Sequence, residues 1–186
     1  MRVIAGTLRG RTLKAPKGLA TRPVLARVRE ALFNMLGDMS GARVLDLFAG
    51  TGAIGIEAVS RGAASAVFVD SGAGQCAVIR ENLSMLGIGG EVIRADVFRA
   101  IDRMAVEGRV FDFVFADPPY ELGYSAKALE AVCTRGLLAS RGIMALTVRK
   151  TEALPHLAGG CALMLDRRHG DTRLLVYGKE SSQRSV

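Results

Sequence analysis

Tryptophan is absent from this 186-residue sequence, and all aromatics together make up 5% of it. With hydrophobic residues at 49%, the core has to be built from Ala, Val, Leu and Ile, the composition of parallel strands buried under helices. Cysteine and histidine are also scarce. Cys76, Cys133 and Cys161 share no Cys-x-x-Cys spacing, and His156 and His169 have no metal-ligand spacing. The expectation is therefore three reduced thiols and no metal site. No cysteine follows a proline or has a histidine placed to activate it, which argues against covalent attack on a pyrimidine ring. Nowhere does the chain approach the roughly 18 uncharged apolar residues of a membrane span. Behind Arg2, the residues Gly6, Arg9, Gly10 and Arg11 interrupt any apolar leader. These absences predict a chain that is soluble and cytoplasmic, with no membrane partner; a monomer is the expected state.

Acids are missing from one region in particular. Residues 1–35 carry eight basic side chains (Arg2, Arg9, Arg11, Lys14, Lys17, Arg22, Arg27 and Arg29) against the single acid Glu30. That segment accounts for the whole net charge of +7, since residues 36–186 balance at 17 basic and 17 acidic. Charge concentrated in this way is the footprint of a polyanion-binding arm. Only Phe33 is aromatic there, so phosphate contact is expected to dominate over base stacking. Arg2, Arg9, Arg11, Lys14, Arg22, Arg27 and Arg29 are the candidate nucleic-acid contacts.

The length suits one domain able to bury roughly 70% of its unfolded surface. A basic hairpin and helix are expected over 1–40, an α/β core over 41–178 and a polar tail over 179–186. Two short strands flank a Gly/Arg turn before Pro16. A helix then opens at Thr21 or Arg22, with Pro23 in its first turn, and Gly37 ends it. From 43 onward strands and helices alternate. Strands are expected at 43–48, 66–69, 91–95, 111–116, 142–148, 162–168 and 173–177, with helices at about 53–61, 74–86, 97–106 and 124–134. Regular alternation means a doubly wound, mostly parallel seven-stranded sheet, and the closing hairpin places one antiparallel strand at its edge.

The chemistry centres on Asp117-Pro118-Pro119-Tyr120. Prolines stop the strand before them, because they have no N–H for a sheet ladder. The strand end thus presents a carboxylate, a carbonyl of restricted direction and an aromatic ring together. Such a trio suits a flat nucleobase amine. The Asp117 carboxylate and Pro118 carbonyl each accept one N–H, which aims the nitrogen lone pair, while Tyr120 stacks on the base. Three more acids close strands on the same edge: Asp46, Asp70 and Asp96. In an open α/β sheet that edge lines the ligand crevice. Gly50-Thr51-Gly52-Ala53-Ile54-Gly55 matches Gly-x-Gly-x-x-Gly, which also admits a dinucleotide. A carboxylate close under the loop would repel a pyrophosphate but attract the sulfonium and ammonium of S-adenosylmethionine. Asp70 suits ribose hydroxyls and Asp96 the adenine amine. The set expected to hold the cofactor is Asp46, Phe48, Ala49, Gly50, Thr51, Gly52, Asp70, Ser71, Asp96 and Val97.

Taken together, Met1-Arg2-Val3-Ile4-Ala5-Gly6 with Arg9-Gly10-Arg11, Arg22-Pro23, Arg27-Val28-Arg29-Glu30-Ala31-Leu32-Phe33-Asn34, Asp46-Leu47-Phe48-Ala49-Gly50-Thr51-Gly52, Asp117-Pro118-Pro119-Tyr120 and Gly170-Asp171-Thr172 resemble the RsmD family. The resemblance spans nearly the whole chain. It departs at Val24-Leu25-Ala26 and Gly72, where the family usually has polar residues. It implies a Rossmann-like class I methyltransferase acting on a guanine N2 in 16S ribosomal RNA, within the small ribosomal subunit or an assembly intermediate. It also implies that the nucleic acid met by the basic candidates of residues 1–35 is RNA. Competing readings are an adenine-N6 methyltransferase on RNA or DNA, a dinucleotide-dependent oxidoreductase, and a non-catalytic RNA-binding assembly factor.

Overall fold

The computed structural model describes residues 1–16, 23–120 and 123–179, with backbone only for 23–26. Within them, strands β1 (Arg43–Leu47), β2 (Ser65–Asp70), β3 (Glu91–Arg94), β4 (Phe111–Ala116) and β5 (Leu138–Arg149) alternate with helices α2 (Ala53–Ser60), α3 (Ala73–Leu86), α4 (Val97–Val106) and α5 (Tyr124–Thr134). Helix α1 (Pro23–Leu36) precedes them, and β6 (Leu157–Ala158), β7 (Cys161–His169) and β8 (Thr172–Lys179) follow. One sheet of order β3-β2-β1-β4-β5-β8-β7-β6 results, parallel from β3 to β5.

Alternating side chains feed two cores. On one face, Leu45, Leu47, Val114 and Ala116 pack with Ile101 and Met104 of α4 and Leu129 and Val132 of α5. On the other, Val44, Phe113 and Phe115 pack with Leu32 and Phe33 of α1, Ile56 of α2 and Ile79 of α3. Side chains two residues apart share a sheet face. Asp46 therefore projects to the α1–α3 side with Val44, and Asp117 follows Phe113 and Phe115 in the same phase. Strands β1 and β4 are neighbours, while the chain leaves β1 toward β2. That makes the β1/β4 boundary the topological switch point, where open α/β sheets bind ligands.

Four expectations are corrected. The sheet has eight strands, because a two-residue β6 is too short to leave a period in the sequence. The antiparallel β8 lies inside the sheet, between β5 and β7, and not at the edge. The N-terminal strands reduce to one bridge, Arg2 with Thr12, supported by backbone bonds such as Val3 N to Arg11 O at 3.0 Å. Lastly, Cys133 and Cys161 are not separate thiols. The β6–β7 turn brings the start of β7 onto α5, and the two form a disulfide with Cα atoms 6.0 Å apart, leaving Cys76 free and buried.

The N-terminal arm is docked, not loose. Val3 and Leu13 are buried in the α1–α3 core. The Glu57 carboxylate on α2 is wholly buried and accepts from Ile4 N at 2.8 Å, Ala5 N at 3.0 Å and Arg61 Nε at 2.9 Å. Gly6 has φ +82° and lies so close to the Ser60 carbonyl that any Cβ would overlap it. The expected helix cap at Thr21 or Arg22 lies outside the described residues. No helix among the described residues is long and apolar enough to cross a membrane.

Candidate active site

A cavity of about 700 Å³ opens at the β1/β4 strand ends. Its lining includes Asp46, Phe48, Ala49, Gly50, Thr51, Asp70 and Ser71 from the expected cofactor set, and all four of Asp117, Pro118, Pro119 and Tyr120. Another cavity, of about 740 Å³, lies near the opposite strand ends beside Arg43, Glu91 and Arg109 and contains none of them.

Each acid in the main cavity has a definite task. Asp46 is 2% exposed, and its Oδ2 accepts from Gly55 N at 3.0 Å, tying the third loop glycine to β1. Asp70 Oδ2 accepts from Gly50 N at 2.9 Å and Oδ1 from Gly72 N at 2.8 Å. It thereby braces the glycine loop from the neighbouring strand while still facing the cavity. Gly52 caps α2 at φ 75°, a left-handed conformation that favours glycine. Phe48 adopts φ 55°, a costly geometry for a bulky residue and one that clusters at ligand sites. Its ring stacks on Tyr124 at 6.1 Å, and both rings meet Phe98 edge-on.

The expected set is not brought together entirely. Asp96 is exposed and caps α4, Oδ1 accepting from Phe98 N and Arg99 N at 3.1 Å each, and neither it, Val97 nor Gly52 lines the cavity. Among the basic candidates, Arg2, Arg9, Arg11, Lys14 and Arg27 are exposed, although Lys14 pairs with Glu81 and Arg11 donates to Met85 O at 3.2 Å. Arg22 lies outside the described residues. Arg29, expected among the RNA contacts, does not lie on the exposed surface of α1. It is 4% exposed and lines the cavity, because it shares the helix face of Leu32 and Phe33 one turn later.

Two residues that sequence reasoning missed tie the site together. Thr147, fully buried on β5, donates its hydroxyl to Asp117 Oδ1. Asn82, fully buried on α3, donates to the carbonyls of Lys14 and Thr51 at 3.1 Å each and accepts from Lys14 N at 2.8 Å. It thus links the arm directly to the glycine loop. Both contacts join residues at least 30 positions apart, so no local pattern announces them. Tyr120 is half-buried, with its hydroxyl 3.4 Å from Thr172 Oγ1 and the Arg149 guanidinium 5.8 Å from its ring centroid.

Burial pushes the Asp46 carboxyl well above its usual range. Asp117 and Asp70 add to the rise, and the Gly55 N–H opposes it. Between the unfolded and folded pKa values the native state holds a proton that the unfolded chain has lost, so stability falls as pH rises through that window. Asp46→Asn keeps an acceptor for Gly55 N–H without the charge. It is expected to raise Tm at pH 7 by a few degrees, with the gain vanishing toward pH 4. Calorimetric scans across pH check this, and a gain independent of pH would contradict it.

Residues 1–178 match the family described as Conserved hypothetical protein 95. The chain belongs to the RsmD family. It is 31% identical over 187 residues to the Escherichia coli (strain K12) protein named Ribosomal RNA small subunit methyltransferase D, covering 100% of this chain and 93% of that one. A solved Escherichia coli structure superposes with TM-score 0.85 at 30% identity, covering 97% of this chain and 98% of that one. A Thermus thermophilus 16S rRNA N2 G1207 methyltransferase, RsmC, solved with AdoMet and guanosine, shares the fold at TM-score 0.71 and 22% identity, over 88% of this chain and 45% of that one. RsmD membership makes S-adenosylmethionine the cofactor of this Rossmann-like class I methyltransferase fold. The cavity fits that cofactor. Its three carboxylates suit a ligand with sulfonium and ammonium groups, and its loop glycines leave the β1 end open. Among the described residues, no group of three or more His, Cys, Asp or Glu is placed to hold a metal ion.

Proposed function

We propose that this protein methylates the exocyclic N2 amine of a guanine in 16S rRNA of the small ribosomal subunit, as a monomer in the cytoplasm. The observation that carries the reading is the Asp117 carboxylate, held by Thr147 at the mouth of the cofactor cavity and followed by Pro118. The full-length likeness to the Escherichia coli small-subunit methyltransferase supports the RNA target. Bound S-adenosylmethionine supplies an electrophilic methyl group. Asp117 and the Pro118 carbonyl would each accept one N–H of the guanine amine, which draws its lone pair out of conjugation and orients it to take the methyl in line, with the cofactor's thioether as the leaving group and the amine's lost proton passing to Asp117 or to water. Tyr120 stacks on the base, which enters splayed out of its helix. Arg2, Arg9 and Arg27 hold RNA phosphates.

The acceptor test offers labelled S-adenosylmethionine to small subunits lacking the modification, to large subunits and to double-stranded DNA. Label should saturate near one methyl per small subunit and stay at background elsewhere. Saturable labelling of DNA would instead favour the adenine-N6 reading. Two variants test the parts. Thr147→Val removes the donor to Asp117 and is expected to lower kcat about tenfold with cofactor Kd within about twofold, while Thr147→Ser restores most of the rate. An unchanged kcat in single-turnover assays would separate Thr147 from catalysis. Replacing Arg9 and Arg27 by Gln should reduce the slope of log K against log salt for RNA binding by about 1.4, two phosphate contacts at roughly 0.7 each. An unchanged slope removes the arm from the interface.

A further inference from the structure

Arg29 is a buried guanidinium inside an acid-rich cavity. It is 4% exposed and is the only basic side chain among the described residues that line the space shared by Asp46, Asp70 and Asp117. Two of its nitrogens are tethered to the start of the chain, Nη1 donating to Met1 Sδ at 2.9 Å and Nη2 to the Arg2 carbonyl at 2.6 Å. Its Nε is buried, and no described residue accepts from it. A guanidinium carries five N–H donors, so one sulfur and one carbonyl leave most of them unused. An unsatisfied buried donor on a charged group is costly, and such groups in native structures call for an explanation. Burial lowers the Arg29 pKa, the Glu57 carboxylate acts in the opposite direction, and Arg61 adds to the lowering. A second anion beside Arg29 would relieve that imbalance.

The cofactor brings one. Its sulfonium and ammonium suit an acid-rich lining, but its α-carboxylate is the part that Asp70 and Asp117 would repel. We infer that Arg29 holds the α-carboxylate of S-adenosylmethionine, using its Nε–H and the remaining Nη hydrogens. The fork of a guanidinium matches a carboxylate in bidentate geometry. A phosphate of the RNA backbone is a poorer candidate, since a side chain 4% exposed lies beyond the reach of a bulky duplex or loop, whereas a slender amino-acid tail enters the cavity. Through its bond to the Arg2 carbonyl, the same guanidinium ties the arm to the cofactor site. The inference rests on the cofactor and not on which amine receives the methyl.

Calorimetry with S-adenosylhomocysteine and its decarboxylated analogue tests it, on the wild-type protein and on Arg29→Gln and Arg29→Lys. The wild type is expected to bind the carboxylate-bearing ligand about tenfold or more tighter. That preference should fall below about twofold in Arg29→Gln and be partly kept in Arg29→Lys. A wild-type preference near unity overturns the inference, and this arm needs no variant to fold. A preference that Arg29→Gln leaves intact, with both ligands weakened alike, overturns it as well and reduces Arg29 to a clamp on Met1 and Arg2.

Discussion

Asp117→Ala is expected to cut single-turnover methyl transfer by about a thousandfold or more while leaving cofactor affinity within about tenfold. The reason is where the carboxylate stands. It follows β4 in phase with Phe113 and Phe115, takes the Thr147 hydroxyl on Oδ1, and borders the cavity on the strand beside β1, which leads into the glycine loop that Asp46 and Asp70 brace. Removing it deletes an acceptor for the reacting amine and leaves the loop contacts intact. Asp117 also raises the Asp46 pKa, so its removal eases that charge crowding and does not weaken the loop. Single-turnover rates with calorimetric cofactor binding separate the two effects. Loss of cofactor binding comparable to the loss of rate would make Asp117 a cofactor ligand.

Glu57→Ala is expected to destabilise the fold by about 3 kcal/mol, the scale for breaking a buried ion pair by removing one partner. At this chain length that corresponds to roughly 6–12 °C in Tm. The wholly buried carboxylate satisfies two arm amides and the Arg61 guanidinium at once, and Ala leaves all three without it. The arm should also come away from α2, so backbone amides near Ile4 and Ala5 are expected to lose hydrogen-exchange protection well beyond the global change. Because Asn82 ties Lys14 to the Thr51 carbonyl, cofactor affinity should weaken along with it. A Tm within about 2 °C of wild type would mean the arm is held by its apolar contacts at Val3 and Leu13 alone.

What the sequence revealed and what it hid follow from the range of each signal. Asp46, Asp117 and the glycine loop were legible because strand ends, prolines and glycine spacing are local marks, and parallel βαβ order carries those ends to one edge. Asp96 was legible as an acid at a strand end, but the same position is the N-cap of α4, and capping is the role the structure shows. Arg29 was grouped with the RNA contacts because of its basic neighbours, whereas the structure buries it. The helical register with Leu32 and Phe33 points inward, and that register was available in the sequence. Thr147 was not available at all, since its place opposite Asp117 depends on the pairing of β4 with β5 and on the irregularity between Phe111 and Phe113. The Cys133–Cys161 contact depends likewise on the β6–β7 turn, a feature of two paired residues on each side.

The most direct test of the account identifies the product. Small subunits lacking the modification are incubated with the protein and tritiated S-adenosylmethionine, the 16S rRNA is digested to nucleosides, and the labelled species is separated and weighed by mass spectrometry. The account predicts label in N2-methylguanosine and nowhere else, abolished by Asp117→Ala. Label in a methylated adenosine, or in a guanosine methylated on a ring nitrogen, would contradict it.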